Sequence, residues 1–311
     1  MTTDHRSATV AGNGTRAVGY LMVAIAATGW GTWPLILRHA AMPSSLSSAI
    51  LMVVLTLGSL PVMLKDRVRV RARPKHWLAV GWLGLSDALN IALFFAAYQR
   101  TSVAIAVLTH YLTPVFVALA APLVLGERLV ARTLVAVAAS FLGLMLLLAP
   151  WEKSLAPSDL LGAALGAASA VFYASNVLVN KRLAHVFSAS ELMFFHGFVA
   201  IPLLLAMVPR GALAAASGAS IAVVVAGATG PGLIGGLTFV WGLRRIAASH
   251  ASILTLLEPF VAVITAALFL GQTLRSAQIV GGGLILIGAV IVVSARTATT
   301  CGDEVDSGRS L

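Results

Sequence analysis

The sequence predicts an all-α polytopic membrane protein, ten transmembrane helices arranged as two inverted five-helix repeats. Three observations carry that expectation. The 311 residues are 59% hydrophobic and 10% charged, with a mean hydropathy of +0.95, whereas soluble domains carry about 25% charged residues. Apolar stretches of about 20 residues, the length that crosses a bilayer, recur along the whole chain. The second half also repeats a segment of the first at an offset of 145 residues.

In order, the apolar spans lie at 18–37, 45–64, 77–97, 103–125, 130–149, 158–180, 190–208, 219–243, 248–270 and 276–294. The first is too long for the apolar core of a secretory signal. It ends in Trp33-Pro34 and Arg38 without a small-residue cleavage site, so it is expected to be retained. Residues 18–149 then form one five-span module and 158–295 a second. Segments 1–17 and 296–311 are rich in Thr, Ser, Gly and charge; they are expected to be disordered tails, lacking apolar surface to offset ordering entropy. The short connections leave no room for a separate soluble domain.

Ten spans place both termini on one side. Of the 21 Lys and Arg residues, 16 fall in the tails and the connections on that side; the opposite five connections hold one each, namely Arg38, Arg100, Lys153, Arg210 and Arg275. The bias predicts cytoplasmic termini. It also accounts for the net charge of +10 without nucleic acid as a partner. The densest basic cluster, Lys65 to Lys75, anchors topology and is a candidate contact for anionic lipid, at roughly 1 kcal/mol per basic residue near the surface. Cys301 is the single cysteine, which excludes an internal disulfide and a multi-cysteine metal site.

The repeat aligns Leu112-Thr113-Pro114 with Leu257-Glu258-Pro259, and Leu125-Gly126-Glu127 with Leu270-Gly271-Gln272; it continues without a gap to Gly143 and Gly288. With five spans in each half, equivalent helices cross the membrane in opposite directions, and a site is expected between the halves near mid-bilayer. The run from Tyr98 through Ala104 to Leu112-Thr113-Pro114, then Leu125-Gly126-Glu127-Arg128-Leu129, its echo at Gly271-Gln272, and Gly29-Trp30-Gly31 together resemble the EamA-type modules of the drug/metabolite transporter superfamily. The resemblance covers about 18–295. It implies two inverted five-helix modules and a plasma-membrane carrier, often an exporter of amino acids or other metabolites. Gln272 departs from Glu127, so no role can require a carboxylate at both loop positions.

Candidate functional residues are the polar groups too deep to reach bulk water. A carboxylate at mid-span costs on the order of 2.5–3.5 kcal/mol on insertion scales. Asp87 lies at the middle of the third span, with Asn90, Phe94 and Tyr98 following at helical spacing. This face either lines a cavity or hydrogen-bonds a neighbouring helix. In the repeat frame His110 and Thr113 occupy the positions of Thr255 and Glu258, each pair read as one helix face before a bend at Pro114 or Pro259. The prolines remove backbone donors and free carbonyls. Glu258 is read as a counter-ion for an ammonium group or as a proton carrier, and His110 as a substrate-orienting group or an interhelical hydrogen bond. His196 and His250 rank lower.

Span six carries Ser169, Tyr173, Asn176 and Asn180 as one polar stripe; span one offers Trp30, Trp33 and Pro34 as aromatic walls. In span eight Gly230-Pro231-Gly232 reads as a bend, and in span ten Gly281-Gly282-Gly283 reads as a packing surface. No phosphate loop of the form G-x-x-x-x-G-K-[ST] and no H-E-x-x-H motif occurs, so neither direct ATP drive nor zinc chemistry is indicated, and no cofactor is expected. The sequence therefore favours a secondary transporter of a small molecule. A passive uniporter or channel of the same topology is the alternative, and an intramembrane enzyme using Asp87, His110 and Glu258 is the remote one.

Overall fold

The computed structural model describes residues 4–66, 72–152 and 156–294, with the side chains of 4–13 and 37 left aside. Residues 67–71 of the basic cluster and the segment 295–311 lie outside the described residues. The helices are α1 (Asp4–Gly31), α2 (Trp33–Leu37), α3 (Ser44–Lys65), α4 (Pro74–Tyr98), α5 (Val103–His110), α6 (Thr113–Leu125), α7 (Ala131–Leu148) and α8 (Pro157–Leu183). They continue with α9 (Ala189–Ala206), α10 (Ala212–Ala215), α11 (Gly218–Gly227), α12 (Gly235–Leu243), α13 (Ala248–Leu254), α14 (Leu257–Leu270) and α15 (Ser276–Val293), a π-helical turn at Ala228–Ile234 joining α11 to α12.

Among the described residues, nine helical segments are long and apolar enough to cross a membrane, and they coincide with the second to tenth expected spans. The first expected span is divided at Thr32. There Pro34 supplies no backbone donor near the start of α2, and the Thr32 hydroxyl donates to Gly29 O at 2.7 Å. Helix α1 also starts at Asp4 rather than after a disordered segment 1–17; extending a helix already formed adds one hydrogen bond per residue without a new nucleus.

The repeat is visible residue by residue. Helices α7 and α15 begin and end 145 positions apart, and α6 and α14 both stop at a left-handed glycine, Gly126 at φ 69° and Gly271 at φ 65°. Only glycine takes that conformation without a Cβ clash. Contacts between the halves are reciprocal: α3 packs on α9 and α7 on α15, each with its own equivalent, while α4 packs on α8 as α12 packs on α1. The α7–α15 pair runs antiparallel, since a Cβ on Gly143 would meet Gly281 O at 2.5 Å and one on Gly288 would meet Ala136 O at 2.9 Å. With so close an approach, backbone packing replaces a hydrophobic driving force that lipid cannot supply. Outward faces are apolar, as Leu78, Leu123, Leu160 and Leu268 show at 75%, 89%, 79% and 73% exposure.

Gly281 and Gly283 separate packing from composition, because a Cβ at Gly283 meets nothing within 4 Å. Gly281→Val is expected to lower unfolding stability by about 1–3 kcal/mol, the usual range for overpacking, while Gly283→Ala leaves it unchanged within about 0.5 kcal/mol. Titration of both variants with denaturing detergent measures the difference.

Candidate functional site

The reciprocal packing leaves polar space between the halves. An inner cavity of about 330 Å³ includes Asp87, Asn90, His110, Tyr173, Asn176, His196 and Glu258 in its wall. A larger space of about 890 Å³ shares Trp30, Trp33, Asn90, His110 and Glu258 with it and continues past Phe94 and Tyr98 to Glu152, Gln272 and Arg275. The two form one passage from mid-bundle to the end that carries residues 99–102, 149–152 and 271–275.

Each polar group is positioned by local structure. Asp87 sits one residue after Ser86 on α4, facing α8 and α9. Asn176 Nδ2 donates to Asp87 Oδ1 at 3.0 Å, while Asn176 Oδ1 accepts the Ser86 hydroxyl. His196 Nε2 lies 3.5 Å from Asp87 Oδ2, and its Nδ1 hydrogen-bonds Leu192 O at 2.7 Å. His110 ends α5, with Nδ1 2.6 Å from Ser169 Oγ and its ring between Phe94 and Tyr173, at centroid distances of 4.1 and 5.4 Å. Glu258 occupies the first turn of α14, where the helix dipole favours a carboxylate, and shares the wall of the outer space with Tyr111. Tyr98 lies tilted against Phe94, ring centroids 4.6 Å apart, and lines the outer space. Trp30 leans on Phe239 at 5.2 Å.

Two candidates fall outside the passage. Thr113 and Thr255 were paired with His110 and Glu258 on the premise of continuous helices, but the chain breaks between α5 and α6 and again between α13 and α14. Thr113 Oγ1 instead donates back to His110 O at 2.8 Å, the carbonyl that the ring of Pro114 leaves without its helical donor. Thr255 Oγ1 donates to Ser252 O at 2.7 Å. Both threonines are buried, at 0% and 1% exposure. Pro114 and Pro259 lie just inside the second helix of each broken pair, and Pro231 lies in the π-helical turn, where a local expansion accommodates its missing donor. His250 lies apart, bonded to the Tyr20 hydroxyl at 2.7 Å.

His196, which the sequence ranks below Asp87 and Glu258, also lines the inner cavity, beside Asp87. Its signal was faint: α9 shows no polar stripe, and the partner Asp87 is 109 residues away in the chain.

Among the described residues, the opposite end of the bundle is crossed by hydrogen bonds between helices. Lys181 Nζ donates to Leu243 O at 2.8 Å and Ile246 O at 2.7 Å, a cation on the C-terminal carbonyls of α12. Arg244 donates to Phe187 O at 2.6 Å, and Glu127 accepts from Ala248 N at 2.7 Å and the Ser249 hydroxyl at 3.3 Å, capping α13 from the other half of the chain.

Apolar helices around a passage with ionisable and amide groups in its wall mark a polytopic membrane transporter. The chain belongs to the EamA-like transporter family, whose model matches residues 17–149 and again 160–294. An uncharacterized transporter of Archaeoglobus fulgidus is 29% identical over 237 residues, covering 76% of this chain and 81% of its own length. Protein PecM of Dickeya dadantii is 30% identical over 236 residues, covering 70% and 76%. A solved crystal structure superposes with a TM-score of 0.76 over 89% of this chain and 98% of the other at 21% identity, a likeness of fold.

Asn176 joins α8 to α4 through the Asp87 carboxylate, and hydrogen bonds to charged groups contribute about 1.5–3 kcal/mol. Asn176→Leu is expected to lower stability by about 2 kcal/mol in the same detergent titration, whereas Asn180→Ala, whose Nδ2 bonds only Asn176 O on its own helix, stays within about 0.5 kcal/mol.

Proposed function

We propose that this chain is a secondary transporter that exports amino acids or related small metabolites by alternating access. In this reading its ten spans form two inverted five-helix modules, 18–149 and 158–295, in the plasma membrane with both termini in the cytoplasm. The supporting observation is the passage that, among the described residues, runs from Asp87 and Glu258 to one end of the bundle. The other end holds Lys181 and Arg244, on the side to which the span order gives 16 of the 21 basic residues, which supports a cytoplasmic location. The conformation is then the outward-open stage of the cycle.

Asp87 and Glu258 bind a positive group on the substrate or exchange protons with it. Asn90, His110 and Asn176 orient the substrate, and Trp30, Tyr98 and Tyr173 wall it. Because the passage, among the described residues, runs to one end of the bundle, a permanent pore is the weaker reading. No cofactor and no nucleic acid enters the cycle; Lys65 to Lys75 are proposed to rest on anionic headgroups.

The test is counterflow in proteoliposomes, with a substrate selected from metabolites by the rise in thermal stability that native-state binding produces. Asp87→Asn and Glu258→Gln are each expected to reduce saturable counterflow at least tenfold. Full rates in both variants would remove the assigned roles, and unitary currents in place of counterflow would make the protein a channel.

A further inference from the structure

The two halves are chemically unequal where they meet in the cavity. Positions 87 and 232 are repeat equivalents, as are 51 and 196. In one cross-contact Asp87 faces His196 at 3.5 Å; in the other Gly232 faces Leu51, whose Cδ1 lies 2.6 Å from where a Cβ would stand. The same symmetry position is ionisable on one side and apolar on the other.

The hydrogen bond of His196 to its own helix fixes one of its protons. Its Nδ1 is 2.7 Å from Leu192 O, and a carbonyl only accepts, so Nδ1 carries hydrogen. In a neutral ring Nε2 would then present a lone pair to Asp87 Oδ2, opposing a carboxylate lone pair. One shared proton removes that repulsion, either as imidazolium with carboxylate or as imidazole with carboxylic acid. Both arrangements are electrically neutral as a pair and belong to the pair rather than to either residue.

The surroundings select what can replace that proton. The other ionisable groups facing the inner cavity are His110 from α5, Tyr173 from α8 and Glu258 from α14; α1, α3 and α12 contribute Trp30, Met52 and Phe239. No Lys or Arg is among the residues that line it, and Arg275 at the outer mouth is paired with Glu152. Asn90 Oδ1 is buried without a hydrogen-bond partner, an acceptor open to an N–H donor. Aromatic faces of Trp30, Tyr173 and Phe239 suit a cation and its apolar body.

Resting on the carrier reading and narrowing its substrates from amino acids to the related amines, we propose that the inner cavity binds a protonated amine on an aromatic or apolar body, and that the ammonium displaces the proton shared by Asp87 and His196. The exchange balances without any change in covalent carbon–nitrogen bonding. One R–NH₃⁺ enters, one H⁺ leaves through the open mouth, and the pair passes from neutral to a single negative charge offset by the ammonium. A substrate carboxylate would meet two acidic residues and no cation, so the zwitterionic amino acid of the same skeleton is disfavoured.

The probes are tryptamine and tryptophan, bound to the purified full-length chain in detergent at pH 7. Calorimetry in two buffers of different ionisation enthalpy counts the protons released. Tryptamine is expected to bind at least tenfold more tightly than tryptophan, releasing about one proton per molecule. Asp87→Asn should weaken tryptamine at least tenfold, and His196→Gln should cut the proton count below one half. Absent tryptamine binding, tryptophan binding as tightly, a wild-type proton count near zero, or an undiminished count in His196→Gln would each overturn the proposal. The wild-type comparison stands even if a variant misfolds. Binding and proton release without counterflow would sink the carrier reading and leave this site; counterflow of another metabolite without tryptamine binding would do the reverse.

Discussion

A carboxylate held at the middle of an apolar bundle has to be hydrated, paired or protonated, and the interior of this protein is arranged around that requirement. Asp87 and Glu258 come from different halves, one from α4 and the other from the first turn of α14, and both line the inner cavity. Asn176, itself held by Ser86, and His196 gather on the first, and the dipole of α14 serves the second. Insertion would cost several kcal/mol for such groups facing lipid. The broken helices α5–α6 and α13–α14 are tolerated for the same reason, since non-helical backbone survives at membrane depth only where protein or water surrounds it.

The symmetry that builds the cavity also shows how its ends differ. Glu127 and Gln272 are repeat equivalents, and so are the starts of α13 and α5. At the end that holds Lys181, Glu127 crosses from one half to cap α13 of the other. At the open end Gln272 lines the mouth, and α5 is capped by its own Ser102, which accepts from Ile105 N at 3.3 Å. Among the described residues the cross-half cap is thus made on one side only, which matches a passage that runs to one end of the bundle. Helices α7 and α15, joined through Gly143 and Gly281, make a tight antiparallel pair away from the passage.

Much of this was legible in the chain because it rests on spacing. The offset of 145 residues carries the paired helix ends at Gly126 and Gly271 and the proline breaks before α6 and α14. Asp87, Asn90, Tyr98, His110, Tyr173, Asn176, Glu258 and Trp30 all reach the passage, since depth in an apolar span is a property of the sequence itself. What spacing could not carry was the local use of the two threonine hydroxyls, which turn back to His110 O and Ser252 O instead of to the passage. Nor could it carry a partnership between distant helices, so His196 stood out only once α9 lay against α4. The π-helical turn at Ala228–Ile234 read as a bend without its type.

The claim beneath the account is that water reaches the level of Asp87 and Glu258 between the halves. The most direct measurement is paramagnetic relaxation of a nitroxide at position 90 in liposomes, comparing a water-soluble nickel chelate with oxygen, with a label at the outward-facing Leu123 as the lipid reference. Relaxation at position 90 dominated by the chelate, against oxygen at position 123, is the predicted result. Oxygen dominating at both positions, with the chelate excluded from position 90, would contradict it.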